Sequence, residues 1–145
     1  MDLKLDAEAV VFLDTAPFIY LIEGHGDFCA LVRELIAECI RVRAQMVTSL
    51  ITYIEVLTHP ERLWRTDLAA RYRMFLTNSD NLSIHPFNLQ VADECVRIRA
   101  KNGFKTPDAI QLAVARACGA NLLVTNDADW KRCKELNVVL VSELV

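Results

Sequence analysis

Short apolar segments alternate with amphipathic ones along this chain, and this alternation constrains its fold more than any other feature. Residues 9–13 (Ala-Val-Val-Phe-Leu) and 121–125 (Asn-Leu-Leu-Val-Thr) are the clearest apolar segments. Continuous apolar runs of this kind predict strands buried on both faces, which is the pattern of a parallel sheet. Weaker strand candidates are residues 45–48, 82–87 and 138–141. The sequence therefore predicts an α/β fold with a central, mostly parallel sheet of about five strands and helices on both faces.

The amphipathic segments predict helices. Residues 27–44 place apolar side chains every three or four positions. The other predicted helices are 18–23, 50–58, 61–77, 88–101, a segment from Thr106 to just before Gly119, and 131–136. Ser49 and Thr106 are candidate N-caps, and His59-Pro60 is expected to end the helix that begins at residue 50. Trp64 is expected to face the core.

The composition of the chain limits which classes of protein it can belong to. With 145 residues, 53% apolar and 24% charged, the chain is expected to form one globular, soluble domain spanning residues 1–145. A mean hydropathy of +0.23 suggests that another chain covers some apolar surface. A net charge of −3 means that nucleic acid would have to bind at a local basic surface. Five scattered cysteines, interrupted apolar runs and an acidic amino terminus favour a cytoplasmic protein with reduced thiols and no membrane segment.

Carboxylates follow the predicted strands or begin the predicted helices. Asp14 and Asp127 lie just past buried strands, Asp108 lies in the first turn of a helix, and Glu55 lies on a helix that follows a strand. All four can converge, because the carboxyl ends of parallel strands meet at one edge of the sheet. Like charges brought together are costly unless a cation neutralises them, and oxygen ligands without His or Cys select Mg²⁺ or Mn²⁺. Phosphodiester hydrolysis is the reaction that this set of ligands suits best.

Each acid also has a purely structural interpretation. Asp14 would cap the following helix, and Asp108 would complement a helix dipole. Glu55 would lie on a solvated helix stripe with Thr52 and His59, and Asp127 with Asp129 would form an ordinary turn. The joint placement of these acids at strand ends and helix starts favours the functional interpretation.

Four acidic motifs follow one another along the chain. They are Val-Phe-Leu-Asp14-Thr, the helix with Glu55, Lys-Thr-Pro-Asp108-Ala-Ile-Gln-Leu-Ala, and Leu-Leu-Val-Thr-Asn-Asp127-Ala-Asp129-Trp. In this order and spacing they resemble the PIN-domain ribonucleases, and within them the VapC-type toxins, over nearly the whole chain. The resemblance implies a three-layer α/β/α fold and metal-dependent cleavage of RNA that leaves a 3′-hydroxyl and a 5′-phosphate. It also implies a homodimer and inhibition by a cognate antitoxin.

Carried over to this chain, the resemblance implies an acidic quartet that binds Mg²⁺ or Mn²⁺. Asp14, Asp108 and Asp127 would hold the ion directly. Glu55 would bind or orient the ion or activate the attacking water, and Asp129 would assist as a ligand or through a neighbouring group.

Three further positions match the family pattern. Thr15 and Asn126 correspond to polar positions that flank the metal site in relatives. Trp130 stands where relatives usually have Phe, and the same packing role is expected.

Basic residues on the predicted helices, or just before one of them, would guide an RNA backbone toward the acidic site. They are Arg62, Arg65, Arg71, Arg73, Lys101 and Lys105. A solvated helix face explains them equally well.

Other functions fit the motifs less well. A phosphatase with Asp14 as nucleophile would need a second acid two residues on, where this chain has Ala16. Dinucleotide and P-loop binding are disfavoured because Gly24-His25-Gly26 lacks the remaining glycines. The main alternative to a nuclease is a catalytically silent module of the same fold that binds RNA or serves in assembly.

Overall fold

One five-stranded sheet forms the centre of the computed structural model, which describes residues 3–145. Its strands are β1 (Val10–Leu13), β2 (Gln45–Ser49), β3 (Leu82–His85), β4 (Leu122–Thr125) and β5 (Val138–Leu140). They lie in the order β3-β2-β1-β4-β5, and every neighbouring pair is parallel. The predicted α/β class is confirmed, with a sheet that is parallel throughout.

Between residues 3 and 145, six α-helices accompany the sheet. They are α1 (Thr15–Glu23), α2 (Gly26–Val42), α3 (Leu50–Arg62), α4 (Thr66–Asn78), α5 (Leu89–Asn102) and α6 (Thr106–Ala117). Short 3₁₀ helices at Ala128–Arg132 and Val141–Glu143 lie before and after β5. The chain moves outward from β1 to β3 and then returns to β4 on the other side of β1. The switch in strand order therefore lies between β1 and β4, the place where ligands bind in such folds.

Both faces of the sheet are covered, because successive residues of a strand point to opposite sides. Val11 and Leu13 of β1 pack in an apolar cluster with residues of α1, α2, α3 and α4. Phe12 packs in a second cluster with residues of α5 and α6. The strands are accordingly buried on both sides, and the three-layer arrangement that the family resemblance implied is present.

Helix α3 is longer than its sequence suggested. The prediction that His59-Pro60 ends it is wrong, because α3 continues to Arg62. A proline in a helix removes one backbone donor, and Pro60 does so in the last turn. Its own carbonyl still accepts the N–H of Arg65 at 2.8 Å. The break in hydrogen bonding is therefore small and near the helix end.

The connection between α3 and α4 places Trp64 in solvent. The prediction that this side chain faces the core is wrong, since it is 87% exposed. Helix α4 begins at Thr66, so Trp64 lies between helices, with a φ of 56°. A residue with this left-handed backbone cannot continue a helical apolar face.

The two predicted helix caps have different outcomes. Ser49 caps α3 as expected, because its Oγ accepts the N–H groups of Ile51 at 3.1 Å and Thr52 at 3.4 Å. Thr106 is not a cap, because it is already the first residue of α6. Lys105 precedes it without a side-chain capping bond.

The segment after β4 also differs from expectation. In place of a helix at residues 131–136, the chain forms the 3₁₀ helix Ala128–Arg132. Asp127 initiates this turn by accepting the N–H of Asp129 at 3.0 Å, which starts the helix earlier.

Two predictions from composition can be compared with the structure. All five cysteines are free thiols and four of them are buried, as expected for small core side chains. In the part of the chain from residue 3 onward, no helix combines the length and apolarity needed to cross a membrane.

Candidate functional site

Asp14 is the most buried acid of the predicted quartet. It follows β1 directly and is 9% exposed. It occupies the N-cap position of α1, but its side chain makes no capping hydrogen bond, so the capping interpretation is wrong. Its backbone N–H instead donates to the carbonyl of Val124 at 3.0 Å, which ties the end of β1 to β4.

Two neutral side chains hold the Asp14 carboxylate. Thr125 Oγ1 donates to Oδ2 at 2.7 Å, and Gln111 Nε2 donates to Oδ1 at 3.1 Å. Burial raises the pKa of Asp14 above its usual value, and these hydrogen bonds oppose that rise. The nearby carboxylate of Asp108 raises the pKa further. An acid in such surroundings gains from a cation placed beside it.

Asp108 lies half-buried in the first turn of α6. Its pKa is raised, and loss of solvent is the largest cause. The charges of Asp127 and Asp129 raise it further. Lys105 acts in the opposite direction. Trp130 approaches Asp108 closely enough to oppose the rise, although its buried indole nitrogen forms no hydrogen bond of ordinary geometry.

Glu55 lies on the exposed side of α3, near the other acids. Loss of solvent around its carboxylate raises its pKa, and the charges of Asp14 and Asp108 raise it further. The hydroxyl of Thr15 has the opposite effect. The interpretation of Glu55 as part of a solvated stripe with Thr52 is wrong for Thr52, because that residue is fully buried.

Asp127 and Asp129 follow β4 on the exposed turn. The N–H of Asp127 donates to Thr125 Oγ1 at 3.1 Å, so this acid is tied to the residue that holds Asp14. Asp129 forms a two-pronged ion pair with Arg132, at 2.6 Å and 3.0 Å, which lowers the pKa of Asp129. The turn interpretation therefore describes the local geometry of this pair correctly, and it is compatible with a second role.

The four predicted acids thus meet at the carboxyl edge of the sheet as an electrostatic cluster. Asp108 is the common member, since its charge acts on Asp14 and Glu55, and that of Asp127 acts on it. Between residues 3 and 145, no three His, Cys, Asp or Glu side chains already have the geometry of a metal site. The donors are all oxygen atoms on like-charged groups, which suits a hard divalent cation.

A buried polar network lies beside Asp14, and Thr15 is the one member of it that was predicted as a residue flanking the site. Its members are Thr15, Ser49, Thr52, Gln111 and Thr125, all buried. Thr15 and Thr52 join through their hydroxyls at 3.2 Å. The sequence did carry a signal, because Gln111 is the one polar residue between Ala109 and Ala115. A buried amide within an apolar helix face needs polar partners.

The other predicted flanking residue lies next to this network. Asn126 is half-buried and its Nδ2 donates to the hydroxyl of Tyr20 in α1 at 2.9 Å. This contact fixes the start of the turn that carries Asp127.

Most of the basic residues that were predicted to guide RNA already bind other groups of the protein. Three of them are ion-paired: Arg65 with Asp67 at 3.1 Å, Arg73 with Glu61 at 3.0 Å, and Lys101 with Glu135 at 2.5 Å. Arg71 donates to the carbonyl of Ile22 at 2.6 Å, and Arg62 is exposed at the end of α3. Among these six residues, Lys105 is the one whose charge acts on an acid of the site, since it lowers the pKa of Asp108.

Comparison with known families decides what kind of domain carries this site. The sequence pattern of the PIN domain matches residues 11–136. The chain belongs to the PIN domain family. Nucleases of this family generally use a divalent metal ion. No curated protein matches the chain in sequence.

Solved structures with the same fold come from toxin–antitoxin systems. A DNA-bound VapBC from Salmonella typhimurium has a TM-score of 0.75 and 21% identity, covering 92% of this PIN domain chain and 98% of the other. A toxin–antitoxin complex from Klebsiella pneumoniae has a TM-score of 0.71 and 25% identity, covering 90% and 97%. VapC20 of Mycobacterium tuberculosis, a toxin that cleaves the sarcin–ricin loop, has a TM-score of 0.69 and 17% identity, covering 85% and 94%.

Proposed function

We propose that this PIN domain is a Mg²⁺- or Mn²⁺-dependent endoribonuclease and the toxin of a toxin–antitoxin pair. The observation that carries the proposal is the buried carboxylate of Asp14, held by Thr125 and Gln111 and electrostatically coupled to Asp108. Burying an acid this deeply costs stability. A domain that only needed a helix cap at this position would not require it.

The residues present fit a divalent ion. Asp14, Asp108 and Asp127 would supply carboxylate oxygens, and Glu55 would add a ligand or orient the attacking water. When bound, the ion would neutralise the cluster, orient the scissile phosphate and supply an activated water. Asp129 would act mainly through its neighbours, because Arg132 already binds both of its oxygens.

The chain's own groups have separate tasks in this proposal. Thr125 and Gln111 keep the Asp14 carboxylate in one orientation. Lys105 offers a positive charge beside the acids, where it would attract the backbone of RNA. Lys105 and Arg62 are the better candidates for guiding RNA, because Arg65 and Lys101 are already ion-paired.

The role as a toxin is supported by the neighbours of the same fold and by apolar surface on α3 and on the connection that follows it. Leu50, Ile54 and Trp64 are 45%, 58% and 87% exposed. Exposed large apolar residues of this kind are expected where another chain binds. We propose that they serve a homodimer or an antitoxin, and sedimentation of the purified chain tests the first of these.

Cleavage of RNA tests the nuclease directly. Purified protein is incubated with a structured RNA and Mn²⁺, with and without EDTA, and the product ends are identified with a 5′-phosphate-dependent exonuclease. The proposal expects cleavage with Mn²⁺, none with EDTA, and products that carry a 5′-phosphate. RNA binding without cleavage under every metal condition would instead support the catalytically silent module.

A further inference from the structure

Gln111 is a buried amide at the junction of three elements that carry site acids. It lies on α6, one turn after Asp108, and is 1% exposed. Its Nε2 lies 3.1 Å from Asp14 Oδ1, 2.8 Å from Thr52 Oγ1 and 3.4 Å from Thr15 Oγ1. A buried amide is stable only when such partners are present.

The neighbours of Gln111 fix which way its amide points. Ser49 Oγ accepts the N–H groups of Ile51 and Thr52, so its hydroxyl hydrogen is free to donate to Gln111 Oε1. The carboxylate of Asp14 can only accept when ionised. The oxygen of the amide therefore faces Ser49, and its nitrogen faces Asp14.

The same contacts join the helices that present the acids. Ser49 is the cap of α3, which carries Glu55, and Asp14 immediately precedes α1. Thr52 receives one Gln111 hydrogen and lies 3.2 Å from Thr15, whose hydroxyl is near Glu55. A single side chain thus links α6 to the starts of α1 and α3.

We infer that Gln111 is a positioning residue that aligns the Asp14 carboxylate for a divalent ion, an inference that rests on the proposed nuclease function. Asp14 Oδ1 accepts from Gln111 and Oδ2 accepts from Thr125. An ionised carboxylate has about four acceptor sites, so these two hydrogen bonds orient the group and leave it acceptor capacity for a metal ion. Gln111 is too deeply buried to contact RNA, so it can affect the reaction only through the residues that it holds, of which Asp14 is the proposed metal ligand.

The test replaces Gln111 with an apolar side chain of similar length. Outer-shell partners of metal ligands typically contribute roughly 10- to 100-fold to metal affinity or activity. Gln111→Met should weaken Mn²⁺ binding, measured by calorimetry, and lower kcat by a factor in that range, with the KM for RNA unchanged. Leu112→Met is the matched control, since Leu112 is its fully buried neighbour on α6 and is not part of the site.

A double-mutant comparison separates positioning from general stability. In an Asp14→Asn background, Gln111→Met should cause no further loss of Mn²⁺ affinity. If Gln111→Met binds Mn²⁺ and cleaves RNA as the wild type does, the inference is wrong while the proposed function stands. The inference is also wrong, and the proposed function still stands, if Gln111→Met lowers Mn²⁺ affinity by the same factor in the Asp14→Asn background as in the wild type. If the wild-type protein neither binds Mn²⁺ nor cleaves RNA, the proposed function fails, and this inference fails with it.

Discussion

Thr125 donates a 2.7 Å hydrogen bond to the carboxylate of Asp14 across a separation of 111 residues. The same hydroxyl accepts the backbone N–H of Asp127 at 3.1 Å. One threonine at the end of β4 therefore fixes two acids of the site relative to each other. Its position follows from the parallel pairing of β1 with β4, which brings the carboxyl ends of both strands to one edge.

Loss of this hydroxyl should destabilise the folded protein. Thr125→Val keeps the shape of the side chain but leaves one oxygen of the buried Asp14 without its donor. An unsatisfied buried polar group costs about 1–3 kcal/mol. We expect the free energy of unfolding in urea to fall by that amount. Thr77→Val on the exposed face of α4 is the control, with an expected change within about 0.5 kcal/mol. Equal effects at the two positions would argue against a special role of Thr125.

Replacing Trp64 with glycine should stabilise the protein. The N–H of Trp64 donates to Glu61 at 3.3 Å and that of Arg65 to Pro60 at 2.8 Å, a Schellman ending in which the residue with positive φ is usually glycine. Relief of left-handed strain, less the flexibility that glycine adds to the unfolded chain, gives a gain of roughly 0.5–1 kcal/mol.

A second Schellman ending provides the control for Trp64. Arg43 terminates α2 with a φ of 63° in the same hydrogen-bonding pattern, so Arg43→Gly should give a similar gain. Urea denaturation of both variants would measure these gains. A loss of stability in Trp64→Gly alone would mean that the tryptophan makes stabilising contacts in solution.

The pairing of Glu135 with Lys101 should make a pH-dependent contribution to stability. The hydrogen bond from Lys101, with help from the backbone N–H of Glu135 and the thiol of Cys133, lowers the pKa of Glu135 from 4.5 to about 2. A lowered pKa stabilises the folded state above pH 4.5, and this stabilisation is lost as the pH falls toward 2. Because the pair is exposed, its contribution is small, about 0.2–1 kcal/mol.

The measurement for this pair compares unfolding of the wild type and Glu135→Gln across pH. The difference in unfolding free energy should be largest above pH 4.5 and shrink on acidification. In a Lys101→Met background the same substitution should produce a much smaller difference. A difference that is constant with pH would contradict the assigned cause.

Divalent metal should raise the thermal stability of the protein. An ion that binds only the folded state adds about 2.7 kcal/mol at a hundred times its dissociation constant. We expect Mn²⁺ to raise the Tm of the wild type and to have a much smaller effect on Asp14→Asn. Ca²⁺ and monovalent salt at matched ionic strength control for screening. An identical rise in both proteins would place Mn²⁺ binding elsewhere.

The sequence predicted those parts of the structure that depend on local pattern. The continuous apolar run before Asp14 identified β1 and the acid at its end, and Ser49 identified the start of α3. The hydrogen-bond network around Asp14 could not be predicted from local sequence pattern, because Gln111 and Asp14 are 97 residues apart. Their contact depends on which strands are neighbours, and strand order is set by packing of the whole chain.

The two wrong predictions around α3 have a local cause. Pro60 normally disfavours helix, but near a helix end the loss of one N–H is tolerable. Trp64 has the spacing of a core residue in a continuous helix. The helix is interrupted at this point, because Trp64 itself has a left-handed backbone conformation, and its side chain therefore leaves the apolar face. Neither outcome changes the position of the acids.

The most direct test of the central claim is RNA cleavage by Asp108→Asn in the presence of Mn²⁺. Asp27→Asn is its matched control, because Asp27 also lies in the first turn of a helix, α2, where it complements the helix dipole and is not one of the predicted site acids. If the acids form a metal-dependent nuclease site, Asp27→Asn cleaves at the wild-type rate. Asp108→Asn then loses more than about a hundredfold, beyond what an outer-shell partner contributes. Equal cleavage by Asp108→Asn and Asp27→Asn, with both proteins folded, would contradict the account.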